Sequence, residues 1–153
     1  MSDKDIKPAK ILLVEDDRVD VKAFQRAMKK LKIANPIHVC RDGVEAYDYL
    51  EDSFQGDPLE APSLTVLDIN MPRMNGIELL EKIRQNKRMR HLVVFMLTTS
   101  NDDQDKFDAY NLNVAGYMLK SDMGNSFIKA VKLVDNYWRV VEFPNHSYIP
   151  RES

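Results

Sequence analysis

Five short apolar runs alternate with segments of helical periodicity along this chain of 153 residues, and that alternation limits the folds open to it. The runs are rich in Val, Leu and Ile and nearly continuous in polarity, which is typical of strands buried on both faces of a parallel sheet. They span Lys10–Val14, Ile37–Cys40, Leu64–Leu67, Val93–Leu97 and Gly116–Leu119. Because crossovers between parallel strands are right-handed, the alternation predicts an α/β fold, a doubly wound five-stranded parallel sheet with helices on both faces.

Apolar residues at helical spacing mark the connections between these strands. Asp17 can cap the first helix, and Asp20 lies in its first turn. The other helices are predicted at about Gly43 to Leu50, from near Gly76, around Gln104 to Tyr110, and from Phe127 to Trp138. The length of the chain fits one domain of this kind.

Composition disfavours several classes of function. The net charge is -2 and the basic residues form no large cluster, which argues against binding to nucleic acid or anionic lipid. Cys40 is the single cysteine and lies in an apolar run, so we interpret it as a buried structural thiol rather than a reactive one. No apolar run is long enough to span a membrane and the N-terminus does not resemble a signal peptide, which predicts a cytoplasmic protein.

Polar and charged side chains follow the predicted strands at the point where each strand ends. They are Glu15 and Asp16 after the first run, Asp68 after the third, Thr98 after the fourth and Lys120 at the end of the fifth. In a doubly wound sheet these carboxyl ends meet at one edge, which is where ligands bind. Carboxylates gathered there repel one another by roughly 4 kcal/mol per pair at 4 Å with an effective dielectric constant of 20. Mg²⁺ relieves such repulsion and suits an acidic pocket without histidine or thiol ligands.

The same residues suit phosphoryl transfer. An aspartate such as Asp68 can attack phosphorus and form an aspartyl phosphate, while Lys120, Thr98 and a metal ion stabilise charge on the phosphoryl oxygens. Each residue also has a structural alternative, as a turn aspartate, a surface lysine or a strand-end cap. Singly, those alternatives are the more common ones, but their coincidence at successive strand ends favours the functional interpretation.

Several motifs together resemble the receiver domain of two-component response regulators. They are KILLVEDD, LDINMPRMNG, LTTS and GYMLKS, in that order and spacing, and the resemblance covers about residues 8–138. It implies a flavodoxin-like receiver fold over residues 10–138, with strand order 2-1-3-4-5 and five flanking helices. Residues 1–9 and 139–153 are then tails, and no output domain is expected. The implied partner is a sensor histidine kinase, and the implied role is that of a signalling phosphoacceptor rather than an enzyme.

The resemblance implies a role for each matching residue. Asp68 is the expected phosphoacceptor. The expected ligands for Mg²⁺, or for Mn²⁺ in its place, are Glu15, Asp16, Asp68 and the backbone carbonyl of Asn70. The expected phosphate-binding and switch residues are Thr98, Tyr117 and Lys120. Asn70 and Ser100 are expected to border the path of attacking water and so to tune dephosphorylation.

The chain departs from the family pattern at Ser121, where most receivers carry a proline after a cis peptide bond. A cis bond before a non-proline residue costs about 2.5–4 kcal/mol. The sequence therefore leaves open whether the bond after Lys120 is cis or the loop is rearranged.

A finer resemblance concerns the insertion before Leu64, the LTTSNDDQD segment and the stretch SFIKAVKLVDNYWRVVEFP. These features resemble the small response regulators that partner phytochrome-type kinases, and they imply a bacterial phytochrome as the kinase. The apolar residues near the C-terminus predict a homodimer built from the fifth helix and the tail. The residues assigned to that interface are Trp138, Val141, Phe143 and Pro144. The alternative is that the tail folds back on its own domain.

Two functions of other classes stay open. A dehalogenase-like phosphatase also uses an aspartate nucleophile, but such enzymes carry a second aspartate where this chain has Asn70, place the motif after their first strand and add a cap domain. A receiver-like binding module that works without phosphorylation is the other alternative, and the intact acidic set argues against it.

Overall fold

The strands of the protein are β1 (Ile11–Val14), β2 (Ile37–Cys40), β3 (Leu64–Asp68), β4 (Val93–Thr98) and β5 (Gly116–Leu119). The helices are α1 (Arg18–Lys30), α2 (Gly43–Gln55) and α3 (Gly76–Gln85), and a 3₁₀ turn, Lys120–Asp122, follows β5. These elements come from a computed structural model, which describes residues 10–57, 60–71, 73–99 and 111–125. All strand pairs are parallel, in the order β2-β1-β3-β4-β5. The predicted fold class and strand order are confirmed.

Each face of the sheet has its own apolar core. Ile11 and Leu13 of β1 belong to one cluster together with buried side chains of α1. Leu12 and Val14 belong to a second cluster together with buried side chains of α2 and α3. Because successive strand residues point to opposite faces, a strand covered on both sides must be apolar throughout. That requirement explains the continuous apolar runs of the sequence.

The register of the strands brings their carboxyl ends to one edge. Val14 of β1 pairs with Leu67 of β3, so Glu15 and Asp68 are the next residues on two neighbouring strands. On the other side of β3, Asp68 pairs with Leu97 of β4. Thr98 pairs with Leu119 of β5, and Lys120 follows directly. The sheet therefore collects the predicted functional residues along its carboxyl edge.

Polar side chains fix the beginnings of the helices. Asp17 caps α1 as predicted, because its carboxylate accepts a hydrogen bond of 2.8 Å from Val19 N–H. Asp42 caps α2 by accepting from Glu45 N–H at 2.9 Å. Asn75 and Glu78 form a reciprocal capping box at the start of α3.

Some predicted boundaries are wrong by a few residues. Helix α2 continues to Gln55 rather than ending at Leu50, because Gly56 is the first helix breaker after it. Strands β3 and β4 each extend one residue further than predicted, to Asp68 and Thr98. The helices predicted around residues 104–110 and 127–138 lie outside the described residues.

Cys40 has the structural environment predicted for it. The residue is fully buried. Burial and the nearby carboxylates of Glu45 and Asp42 raise the pKa of the thiol to about 12. A thiol with that pKa carries almost no thiolate at neutral pH, which makes it a poor nucleophile.

Within the described ranges, no helix combines the length with the hydropathy that a membrane crossing requires.

Candidate functional site

Three carboxylates come together at the carboxyl ends of β1 and β3. Glu15 and Asp16 follow β1, and Asp68 is the last residue of β3. One oxygen from each side chain lies within 4.8 Å of the others. Glu15 is fully buried and Asp68 is 2% exposed, whereas Asp16 faces solvent. The predicted acidic group is thus assembled with two members inside the protein and one at its surface.

Lys120 brings a positive charge into this group from the turn after β5. Its Nζ donates hydrogen bonds of 3.0 Å to Glu15 Oε1, 3.1 Å to Asp68 Oδ2 and 2.8 Å to Asp20 Oδ2. An ammonium has three N–H donors, so these contacts use its full capacity. The Lys120–Ser121 peptide bond is trans, and the lysine reaches Asp68 in that conformation.

Burial and neighbouring charges shift two pKa values in the site. Burial of Glu15, together with the closeness and the charge of the Asp68 carboxyl group, raises the pKa of Glu15 to about 8, although Lys120 acts in the opposite direction. Burial would lower the pKa of Lys120, but its hydrogen bonds to Asp20 and Glu15 and the charge of Asp68 outweigh burial and raise that pKa. Lys120 is therefore a permanent cation at neutral pH, while the site still carries an excess of carboxylate groups.

The geometry of the carboxylates fits a hard divalent cation. Glu15 Oε2 is buried and has no hydrogen-bond partner among the described residues, which is costly for a carboxylate oxygen. Asp16 and Asp68 provide further oxygens close by. An all-oxygen donor set with one ligand open to water is the type that Mg²⁺ prefers, and Mn²⁺ accepts the same ligands. The residues present therefore fit the metal site that the sequence predicts.

Thr98 and Tyr117 lie on β4 and β5, which are neighbouring strands. Thr98 ends β4 and is 5% exposed. Tyr117 pairs with Met96, two residues before Thr98, and is half-buried against the core cluster of α2 and α3. Thr98 is therefore at the carboxyl edge of the sheet, and Tyr117 lies two residues before that edge on the adjacent strand.

The loop from β3 to α3 packs closely against the backbone and side chain of Asp68. Asn70 N–H donates to Asp68 Oδ1 at 3.1 Å, and Gly76 N–H donates to Ile69 O at 2.9 Å. A Cβ atom on Gly76 would collide with the backbone carbonyl oxygen of Asp68. Glycine is required here because a side chain would not fit. Its backbone conformation does not require glycine, since the φ of Gly76 is not positive.

An ion pair ties the same loop to the beginning of α2. Arg73 Nη2 lies 2.6 Å from Asp42 Oδ2. Partial burial opposes ionisation of Asp42, but the hydrogen bonds from Glu45 N–H and Arg73 outweigh it and lower the pKa of this carboxyl. The contacts of Asp42 are therefore structural.

Sequence reasoning missed Asp20 as a member of the site. The sequence predicts Asp20 only as an acidic residue in the first turn of α1, where it suits the helix dipole. The available signal was position, because Asp20 lies in the first turn of the helix that begins at Arg18, directly after the carboxyl end of β1. Ser100 and the residues assigned to the dimer, Trp138, Val141, Phe143 and Pro144, lie outside the described residues.

Comparison with known proteins agrees with this geometry. A family model described as the response regulator receiver domain matches residues 11–132. The chain belongs to the response regulator receiver domain family.

Three relatives resemble the chain over most of its length. The response regulator Rcp1 of Synechocystis sp. is 33% identical over 138 residues, which are 90% of this chain and 94% of Rcp1. The Mn²⁺-bound structure of Rcp1 has a TM-score of 0.68 at 32% identity, over 90% of this chain and 99% of that one. The bacteriophytochrome response regulator AtBRR has a TM-score of 0.73 at 34% identity, over 83% and 92%. The phosphorylated cyanobacterial phytochrome response regulator RcpA has a TM-score of 0.70 at 28% identity, over 90% and 99%.

Proposed function

We propose that this response regulator accepts a phosphoryl group on Asp68 from a sensor histidine kinase, in a Mg²⁺-dependent reaction. The observation that carries the proposal is the setting of Asp68. Its carboxylate lies 3.1 Å from the Lys120 ammonium and shares a 4.8 Å cluster with oxygens of Glu15 and Asp16. This setting supports the proposal, because phosphoryl transfer needs positive charge next to the phosphoryl oxygens and both the ammonium and a carboxylate cluster that fits a metal ion lie next to Asp68.

The proposed reaction replaces one bond to phosphorus by another. A carboxylate oxygen of Asp68 attacks the phosphorus of a phosphohistidine, and the P–N bond breaks as the new O–P bond forms. The electron pair of the broken bond returns to the imidazole nitrogen. Lys120 donates to a phosphoryl oxygen, and the Thr98 hydroxyl donates to another. Glu15, Asp16, Asp68 and the carbonyl of Asn70 would hold Mg²⁺, which supplies positive charge next to the phosphoryl oxygens when bound.

Phosphorylation is proposed to act as a switch through Thr98 and Tyr117. Rotation of the Thr98 hydroxyl toward the phosphoryl group vacates space beside β4, and the ring of Tyr117 moves into it. Asn70 and Ser100 are proposed to tune hydrolysis of the aspartyl phosphate. In this proposal the receiver occupies residues 10–138, and the protein promotes only its own phosphorylation and dephosphorylation, without turnover of a separate substrate.

The partner proposed for this chain is a histidine kinase of the bacterial phytochrome type. Support comes from the relatives, since AtBRR is a bacteriophytochrome response regulator and RcpA a phytochrome response regulator. We also propose a cytoplasmic location for the protein. We also propose that residues 139–153 form a dimerisation arm, supported by the apolar residues in that segment.

The deciding experiment is labelling by acetyl phosphate in the presence of Mg²⁺, followed by intact-mass analysis. The wild-type chain should gain the mass of one phosphoryl group, and Asp68→Asn should gain none, because the amide is not a nucleophile of this kind. Asp48→Asn is the matched control, since it removes one exposed carboxylate from the middle of α2.

Other outcomes separate the alternatives. Equal labelling of Asp68→Asn would show that another residue accepts the phosphoryl group. Absence of labelling in the wild-type chain would favour the binding module that works without phosphorylation. Multiple turnovers of a small phosphate ester would favour the phosphatase.

A further inference from the structure

Asp20 is the partner of Lys120 that stands apart from the metal-binding group. It rises from the first turn of α1, and its Oδ2 makes the shortest of the three contacts to Lys120 Nζ, at 2.8 Å. The other two partners, Glu15 and Asp68, both belong to the cluster that fits a cation, and Asp20 does not. Its contact with Lys120 therefore needs an explanation other than metal binding.

The three acidic side chains that contact Lys120 differ in whether water could replace the ammonium group if Lys120 moved away. The side chain of Glu15 is 0% exposed and that of Asp68 is 3% exposed, so neither can be hydrated when its ammonium partner leaves. The side chain of Asp20 is 25% exposed, and water can replace the lysine there. Because an unpaired buried polar or charged group costs far more than a hydrated one, Asp20 is the partner that Lys120 can release at the lowest cost.

A phosphoryl group on Asp68 would compete with Asp20 for the same cation. All three N–H donors of Lys120 are engaged by carboxylates. The charge of Asp20 also neutralises part of the positive potential that Lys120 offers to an anion. Asp20 thus opposes anion binding at Asp68 and, by the same charge, favours cation binding at the neighbouring carboxylates.

We propose that Asp20 is a positioning residue that acts through Lys120, as a counter-anion that sets the balance between phosphoryl affinity and Mg²⁺ affinity in the site. The proposal rests on the proposed function of Asp68 as phosphoacceptor. It goes beyond that function by assigning to α1 a residue that limits how strongly the phosphorylated state is stabilised.

The test uses Asp20→Asn, because the amide oxygen can still accept a hydrogen bond from Lys120 while the negative charge is lost. Beryllofluoride, a mimic of the phosphoryl group, is titrated at Mg²⁺ concentrations that saturate each variant. Mg²⁺ is titrated separately without beryllofluoride, and both are followed by NMR. We expect Asp20→Asn to bind beryllofluoride roughly three- to tenfold more tightly and Mg²⁺ roughly three- to tenfold more weakly than the wild type, as for one partly exposed charge pair.

Two further variants act as controls. Asp17→Asn removes a carboxylate from the same end of α1, and asparagine caps a helix as well as aspartate does, so both affinities should shift far less. Asp20→Glu restores the charge and should move both affinities back toward the wild-type values.

Tighter binding of beryllofluoride together with weaker binding of Mg²⁺ distinguishes a charge effect from structural damage, because damage would weaken the binding of both ligands. Weaker or unchanged beryllofluoride binding in Asp20→Asn, with a wild-type chain that binds it, overturns the assignment of Asp20. A wild-type chain that binds no beryllofluoride in saturating Mg²⁺ would instead overturn the proposed function.

Discussion

At the scale of single residues, Asp16 and Asp17 show how one position along the chain separates two roles. Both are exposed acids that follow β1. The carboxylate of Asp17 is engaged by Val19 N–H at 2.8 Å and caps α1. The carboxylate of Asp16 instead lies in the cluster with Glu15 and Asp68. Adjacent residues of like charge therefore serve the helix in one case and the metal site in the other.

The first prediction follows from this division. Asp16→Asn should weaken Mg²⁺ binding by at least roughly tenfold, because it removes the charge of the ligand that is open to solvent. Asp17→Asn should leave the Mg²⁺ affinity close to that of the wild type, since the cap is preserved. Titration of each variant with Mg²⁺, monitored by NMR, gives the comparison. A larger loss of Mg²⁺ affinity in Asp17→Asn than in Asp16→Asn would mean that Asp17, and not Asp16, is the metal ligand.

At the scale of elements, the connection from β3 to α3 is held by contacts at both of its ends. Gly76 packs against the backbone of Asp68, where a Cβ atom would overlap the carbonyl oxygen. The capping box of Asn75 and Glu78 fixes the direction in which α3 leaves the loop. Earlier in the loop, Arg73 is anchored to Asp42 at the start of α2. The position of the Asp68 carboxylate thus depends on how closely α3 approaches β3.

Gly76→Ala is therefore predicted to be destabilising although alanine favours helices. The overlap with backbone atoms cannot be relieved by rotating a side chain, and overpacking of this kind costs about 1–3 kcal/mol. Gly124→Ala is the matched control, because a Cβ atom there would meet side-chain carbons at ordinary distances of 3.8 and 3.9 Å. Urea denaturation should show a lower free energy of unfolding for Gly76→Ala and an unchanged or higher one for Gly124→Ala. Equal stabilities of the two variants would contradict the proposed close approach.

At the scale of the whole molecule, the sequence predicts which residues meet at the carboxyl edge of the sheet, because the apolar runs define the strands and their ends. Glu15, Asp68 and Thr98 meet at that edge as a direct result of parallel pairing. The contact between Asp20 and Lys120 could not be predicted in this way. It joins residues that are 100 positions apart and depends on the reach of a flexible side chain between β5 and α1. Local periodicity contains no information about such a contact.

The final prediction concerns assembly of the whole molecule. Residues 138–149 include Trp138, Val141 and Phe143, and Pro144 and Pro150 prevent a long helix there. We expect these apolar side chains to be covered by a second copy in a two-fold symmetric dimer, because a contiguous apolar segment of this kind usually marks an interaction site. Removal of residues 139–153 should give a monomer that still accepts a phosphoryl group from acetyl phosphate.

Sedimentation velocity at high micromolar protein concentration measures the change in assembly. Phe143→Asp in the full-length chain is a useful second variant, because it keeps the chain length and places a charge in the proposed interface, so it should also weaken the dimer. Retained phosphorylation in both variants would show that the receiver is intact and that only assembly has changed. A full-length wild-type chain that sediments as a monomer under these conditions, with and without phosphorylation, would refute the dimer and favour a tail that folds back on its own domain.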